Sequence, residues 1–291
     1  MFADCSSLTE INIDEENENY KSVDGVLYDK DLTTLIMCPA AKAGTVTIPD
    51  GVATIGSYAF RGCSALTAIE IPNSVTSIRI QAFSGCTALT AINVDESNAN
   101  YASVNGVLYD KGVTKLILCP LGKSGSLILP GTLKTIDGNA FQGCARLVFV
   151  QIPNGVTSIG ISAFSGCSAL TSMALPNTVT EIGLSAFSGC SALTVVSLGD
   201  GLKDISKQAF SGCTALIAIN VDENNANYAS FDGVLYSKDK TTLILCPLGK
   251  SSLVMPSTLK IISDSAFSGC IRLVHVQIPD LSLIHISEPT R

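Results

Sequence analysis

Cysteine and histidine are the residue types best suited to metal, redox or nucleophilic work, and this 291-residue chain has eleven of the first and two of the second. Their spacing points away from such work. Eight cysteines close a recurring block, Ala-Phe-x-Gly-Cys or a close variant, and Cys38, Cys119 and Cys246 stand at matching points of three longer segments. No Cys-x-x-Cys pair occurs, so no zinc site is indicated. An odd total cannot pair completely, and free cysteine behaves as a small buried hydrophobe. The pattern predicts a stacked ladder of reduced, inert thiols. His275 lies in a strand-like stretch with no Cys, Ser or carboxylate at triad spacing, and reads as a surface histidine.

Other candidates weaken in the same way. Gly122-Lys123-Ser124 and Gly249-Lys250-Ser251 resemble the end of a phosphate loop, but Ile117 and Ile244 stand where that motif requires its first glycine. The acidic, Asn-rich stretches 14–19, 95–100 and 222–227 offer oxygen ligands yet lack calcium-loop spacing, and read as solvated turns. A carboxylate pair for glycoside hydrolysis leaves no mark in one sequence, because the two groups can lie far apart in the chain. Carboxylates here sit mostly in repeated turns. The chain is therefore expected to be non-enzymatic, with no catalytic residue, metal or cofactor.

What positions all these residues is a repeat. The block occupies residues 59–63, 82–86, 140–144, 163–167, 186–190, 209–213 and 266–270, with a truncated copy at Phe2-Ala3-Asp4-Cys5. From Phe to Phe the steps are 58, 23, 58, 23, 23, 23 and 57 residues. A period of 23 falls in the leucine-rich-repeat range and predicts stacked units, each too small to fold alone. The long steps are the same unit carrying an insert of 34 or 35 residues. Within one unit, Leu66-x-x-Ile69-x-Ile71 predicts a strand with Ile69 and Ile71 inward. Pro72 ends it, and Val75 and Ile78 begin a second short extended stretch. The block itself reads as one helical or 3₁₀ turn with Gly near its end. Ala59, Phe60 and Cys63 complete the expected core.

The inserts, at about 14–47, 95–128 and 222–254, are near copies of one another. Each carries Asn-Tyr, then Gly-Val-Leu-Tyr, then Leu-Ile-x-Cys-Pro. Two β-rich runs flanking Asp-Lys-Asp or Asp-Lys-Gly predict a hairpin that rejoins the coil at Ile48, Leu129 or Met255. The fold class expected is a right-handed, β-rich leucine-rich-repeat solenoid: one domain over 1–280, with parallel β-ladders, short helical or 3₁₀ turns and three hairpin inserts.

Composition narrows the partners. A net charge of −7 and a pI near 4.8 disfavour nucleic acid and anionic lipid. No apolar run approaches the roughly 18 residues needed to cross a membrane, so no membrane insertion is expected of this chain. Binding potential lies on the outward side of the strands, where Glu70, Asn93, Phe149, Gln151, Ser172, Ser197, Asn220, His275 and Gln277 form columns able to hydrogen-bond a protein or glycan. Small residues there also suit a crowded, curved face. The insert tyrosines, Tyr20 and Tyr28, Tyr101 and Tyr109, Tyr228 and Tyr236, are secondary candidates, with packing of each hairpin against the coil as the competing account.

The run Leu-Thr-x-Ile-x-Ile-Pro-Asn-x-Val-Thr-x-Ile-Gly-x-x-Ala-Phe-Ser-Gly-Cys-Ser-Ala resembles the BspA-like leucine-rich repeats of bacterial surface proteins. The insert motif Asp-Gly-Val-Leu-Tyr-Asp-Lys is similar to the one that interrupts those repeats. The resemblance covers nearly all of 1–280. It implies a surface-located or secreted adhesion or host-interaction module that binds an extracellular protein or glycan. A structural spacer holding another domain is the alternative, and a repeat-scaffold hydrolase a remote one. Met1 occupies the Ala position of a repeat already under way, so the natural chain is expected to extend upstream. Residues 281–291 break the period and resemble a translated sequencing adaptor, with a capping strand as the alternative.

Overall fold

The computed structural model of the protein describes residues 5–206 and 208–278, and the backbone of 285–286. It divides into two compact units, residues 1–123 and 124–291. Each is a β-solenoid whose turns contribute strands to two kinds of parallel ladder.

In the first unit, Gly44–Thr47, Leu66–Ile71 and Ala91–Val94 form one ladder. Thr34–Met37, Thr54–Ile55 and Ser77–Ile78 form the other. In the second unit the long-strand ladder is split. Ser124–Ile128 pairs with Arg146–Gln151, Val195–Leu198 lies between Ser172–Ala174 and Ala218–Val221, and Ser252–Val254 pairs with His275–Gln277. Its short-strand ladder runs through Thr135–Ile136, Ser158–Ile159, Glu181–Ile182 and Asp204–Ile205. Near the C-terminus, Ile261–Ile262 takes Thr242–Leu245 on one side and the backbone of His285–Ile286 on the other. The remaining residues of the 281–291 stretch lie outside the described ones.

The core follows the repeat. Leu66, Ile69 and Ile71 are buried with Ala59, Phe60, Cys63 and Val75. Phenylalanines of successive turns stack face to face. Phe60 and Phe83 lie 5.5 Å apart in the first unit, and Phe141, Phe164, Phe187 and Phe210 follow at 4.6, 5.2 and 5.4 Å in the second. Such offset stacks add to the apolar area each ring buries.

The block expected as one helical or 3₁₀ turn forms no continuous helix. No helix occurs among the described residues, and the block forms consecutive tight turns such as Ala59 N–H to Gly56 O and Cys63 N–H to Phe60 O. The reason is where the intervening amides point. Phe60 N–H and Gly62 N–H leave their own turn and donate to Ala82 O and Ser84 O of the next repeat, both at 2.8 Å. Phe164 and Gly166 do the same towards Ala186 and Ser188. An amide spent on the neighbouring turn is unavailable for a helical bond. The alternation needs left-handed backbone, with φ of 55° at Ser162 and 75° at Gly166. The glycine accepts this at no steric cost.

The inserts contain the expected hairpin across the Asp-Lys stretch and one strand more. Each is an antiparallel three-stranded meander and not a single hairpin. In the first, Tyr20–Val23, Val26–Asp29 and Thr34–Met37 pair in sequence. The tight turn is Asp24-Gly25, with both φ positive at 48° and 73°, the combination a type I′ hairpin requires. Asn105-Gly106 and Asp232-Gly233 repeat it. The Asp-Lys stretch makes the second, looser connection, beside a register shift.

Candidate functional site

The outward positions belong to several ladders. In the first unit Glu70 and Asn93 stand side by side, half-buried, with Asn93 Nδ2 donating to Glu70 Oε1 at 2.8 Å. In the second, Phe149 and Gln151 are exposed opposite Ser126 and Ile128. Ser197 and Asn220 are exposed neighbours in the file that starts at Ala174, and Ser172 lies half-buried in the adjoining file. His275 and Gln277 are exposed opposite Ser252 and Val254.

The hairpin tips end the ladders. Gly25, Gly106 and Gly233 carbonyls accept from the amides of Ile11, Ile92 and Ile219 at 2.9, 2.9 and 2.8 Å. One step along, Ser22, Ser103 and Ser230 hydroxyls accept from Ile13, Val94 and Val221. These strand amides would otherwise feed the next ladder strand. The tip therefore takes that strand's place, and it does so closely. A Cβ on Gly106 would lie 2.9 Å from Ala91 Cα, and one on Gly233 3.1 Å from Ala218 Cα. Glycine on the tip is thus required by approach as well as by φ.

The tyrosines divide by position. Tyr28, Tyr109 and Tyr236 are at most 1% exposed, and burial pushes their phenols up. As partner-binding candidates they are corrected: the hairpin places them in the core. Tyr236 Oη has no hydrogen-bond partner among the described residues. The other member of each pair lies nearer the surface. Tyr101 Oη accepts from Ile78 N–H at 3.2 Å, Tyr228 Oη donates to Lys203 O at 3.3 Å, and Tyr20 is exposed.

The cysteines form the ladder their spacing predicts. Cys86, Cys167, Cys190 and Cys213 each donate Sγ–H to the carbonyl of the phenylalanine one turn back, at 3.0 to 3.2 Å. No disulfide occurs among the described residues; Cys5 is exposed and Cys270 half-buried, and the other cysteines are buried. Burial pushes the Cys167 thiol up, and the neighbouring Cys213 thiol together with burial does the same to Cys190. A thiol held protonated is a poor nucleophile.

Asn98 and Asn225, within the acidic turns, are fully buried. Asn225 Nδ2 donates to Gly199 O and Leu202 O at 3.0 and 3.1 Å, and its Oδ1 accepts from Asn227 and Tyr228 amides, both at 2.8 Å. Asn98 makes the equivalent bonds to Pro72, Val75, Asn100 and Tyr101. Every donor and acceptor of the amide is used. These residues clamp the insert to the preceding turn, and the signal for them was an Asn at the same place in each insert. Nearby carboxylates serve their own turns: Asp95 Oδ1 accepts from Ser97 N–H at 2.8 Å. Among the described residues no group of three or more His, Cys, Asp and Glu could hold a metal ion. At the Gly-Lys-Ser sites the glycine amides are committed, Gly122 to Leu89 O and Gly249 to Leu216 O, both at 2.7 Å, so they form no phosphate cradle.

Parallel strands, aligned phenylalanines and a 23-residue turn define a solenoid of the leucine-rich-repeat class. The chain belongs to the BspA type leucine rich repeat family, whose pattern matches in six copies over residues 37–105, 122–234 and 246–290. It is similar to a leucine-rich repeat protein from Eubacterium ventriosum, 26% identical with a TM-score of 0.56 over 81% of this chain and 54% of that one. It thus spans about half the length of that protein. The pneumococcal vaccine antigen PcpA shares the fold at 22% identity, with a TM-score of 0.57 over 81% of this chain and 68% of the other. No curated protein matches the chain.

Proposed function

We propose that the chain is a non-catalytic binding module of a bacterial surface or secreted protein, offering its outward strand faces to an extracellular protein or glycan. The observation that carries this reading is the file in which Ser197 and Asn220 stand exposed and in register on adjacent parallel strands. The family assignment supports it, because stacked repeats present extended surfaces suited to recognition. Phe149 and Gln151, with Ser172 beside the Ser197 file, are the further candidates in the second unit. Glu70 and Asn93 are those in the first, and His275 and Gln277 those of the last ladder. Within this reading the coil is one solenoid through residue 280. It winds right-handed, as parallel strand connections nearly always do.

The test is capture of extracellular matrix proteins and of arrayed glycans by the 291-residue chain, compared with a Ser197→Arg, Asn220→Arg variant. Saturable binding lost in that variant supports the reading. Binding of equal strength by both proteins, or by neither, counts against this face. The spacer alternative draws support from the chain spanning 54% of its Eubacterium ventriosum neighbour, which leaves room for binding elsewhere in a longer protein.

A further inference from the structure

Where the third hairpin tip replaces a ladder strand, it leaves a cleft of about 400 Å³ between the end of one ladder and the start of the next. Its lining includes Ile217, Asn220, Asp232, Lys250, Ser251 and Ser252. The cleft is preformed. Gly249 N–H bonds to Leu216 O at 2.7 Å, the Gly233 carbonyl is bonded to Ile219 N–H, and a Cβ would crowd the Ala215 and Leu216 backbone at Gly249 and Ala218 at Gly233. Its volume lies within the usual range for small-molecule sites, about 300–1,000 Å³.

The chemistry of the lining selects the ligand. Lys250 Nζ lies 3.1 Å from Asp232 Oδ2, with the lysine side chain only 13% exposed and the aspartate 42%. An anion drawn to the ammonium meets the carboxylate beside it, and a cation meets the reverse, so neither charge gains on entry. An uncharged group that both donates and accepts gains from both: a hydroxyl can donate to Asp232 and accept from Lys250, each a charge-assisted bond. The Asn220 amide and the Ser251 and Ser252 hydroxyls offer more mixed partners. Ile217, half exposed, offers an apolar surface for C–H groups. A peptide strand finds less to hold, because strand addition needs unpaired backbone groups. Here Ile219 and Gly249 amides are bonded, and Ser251 O already accepts from Val274 N–H at 2.8 Å.

We infer that this cleft is a subsite for an uncharged saccharide, held by the Asp232–Lys250 pair and Asn220. The inference rests on the binding-module reading and deepens it.

The experiment titrates the 291-residue chain with neutral disaccharides, of hexose and of N-acetylhexosamine type, by saturation-transfer NMR and calorimetry. The wild type is compared with Asp232→Asn and Ser252→Trp. Asp232→Asn preserves the turn, since Asn105 holds the same position with φ of 51° in the second insert. Ser252→Trp fills the cleft from an exposed strand position. The expected result is saturable binding of at least one disaccharide, weakened about tenfold by Asp232→Asn and abolished by Ser252→Trp. Binding should be level between about 50 and about 500 mM salt, as for an uncharged ligand. Absence of disaccharide binding, binding indifferent to both substitutions, or binding that fades with salt overturns the inference. Protein capture lost through Ser197 and Asn220 alone, with no saccharide bound, would leave the module standing and remove this subsite.

Discussion

In the plain turns of the second unit the large buried ring is a phenylalanine lying flat on its copies, Phe164 between Phe141 and Phe187 at 4.6 and 5.2 Å. In the third insert of the same unit the buried ring is Tyr236, in the core of the meander, and the join to the preceding turn is polar, through Asn225. A plain turn is held by being the same as its neighbours. An insert is held by individually specified hydrogen bonds. Substitutions should therefore act collectively in the first region and locally in the second.

The largest effect tests the stack. Phe164→Ala removes a fully buried ring from between two others and should lower unfolding stability by about 3–5 kcal/mol in urea titration. Phe83→Ala should cost less, because Phe83 is 7% exposed and its stack on Phe60 is looser at 5.5 Å. Equal, small losses at both positions would mean the phenylalanine file is not what holds plain turns together.

Asn225→Ala comes next, at about 3 kcal/mol, since it strands two carbonyls and two amides in a buried place. Asn17, its counterpart in the first insert, is half-buried, and its Oδ1 accepts from the Asn19 and Tyr20 amides, both at 2.9 Å. Asn17→Ala should cost about 1 kcal/mol. If both variants matched wild type, the inserts would be held by apolar packing as the plain turns are, and the contrast would collapse.

This contrast was only half visible in the sequence. Repetition made the plain turns legible: a phenylalanine every 23 residues leaves one way to bury all the rings. The tight block is legible only as a helical or 3₁₀ turn, because its turn signals, Ala-Phe-Ser-Gly, suit a helix end and a run of i→i−3 turns equally well. Only the neighbouring turn reveals that alternate amides leave sideways. In the inserts the Asp-Lys stretch marks one hairpin connection, and Asp24-Gly25 between Val23 and Val26, the stronger signal, marks a second. The inward alternation of Ile69 and Ile71 was legible strand by strand, and both are buried. What one period could not reveal is that each hairpin tip stands in for the next strand, because that contact joins residues of unrelated spacing: Ile219 to Gly233, and Gly249 to Leu216.

Glycine substitutions sharpen the comparison with a smaller effect. At Gly166, in a plain turn, φ is 75° and a Cβ would meet its nearest neighbour at an ordinary 3.6 Å. Gly166→Ala should therefore cost only the left-handed backbone, about 1–2 kcal/mol. At Gly106, on a hairpin tip, φ is 72° but the Cβ would stand 2.9 Å from Ala91 Cα. Gly106→Ala should cost more than Gly166→Ala and should speed exchange of the Ile92 amide, which its carbonyl holds. Equal costs, with Ile92 still protected, would show that tip and strand can part without loss.

The smallest effect is one of pH. Burial opposes the charge on Asp29, but bonds from the Thr33 hydroxyl and the Thr33 and Thr34 amides outweigh it and hold the carboxyl below its ordinary range. Asp110 is held down the same way by Lys115 and Thr114. A carboxylate whose folded pKa lies below its unfolded value of about 3.9 contributes stability above that pH and loses it as pH falls through the folded value. The phenylalanine file contains no such group. Acidification from about pH 5 to about pH 2 should therefore release the Thr34 and Lys115 amides to hydrogen exchange while the Phe164 and Phe187 amides stay protected. Asp29→Asn should make the Thr34 amide respond little to pH without changing Lys115. Simultaneous loss of protection in both regions would mean that insert and plain turn unfold as one, and that the polar joints of the inserts have no independent strength.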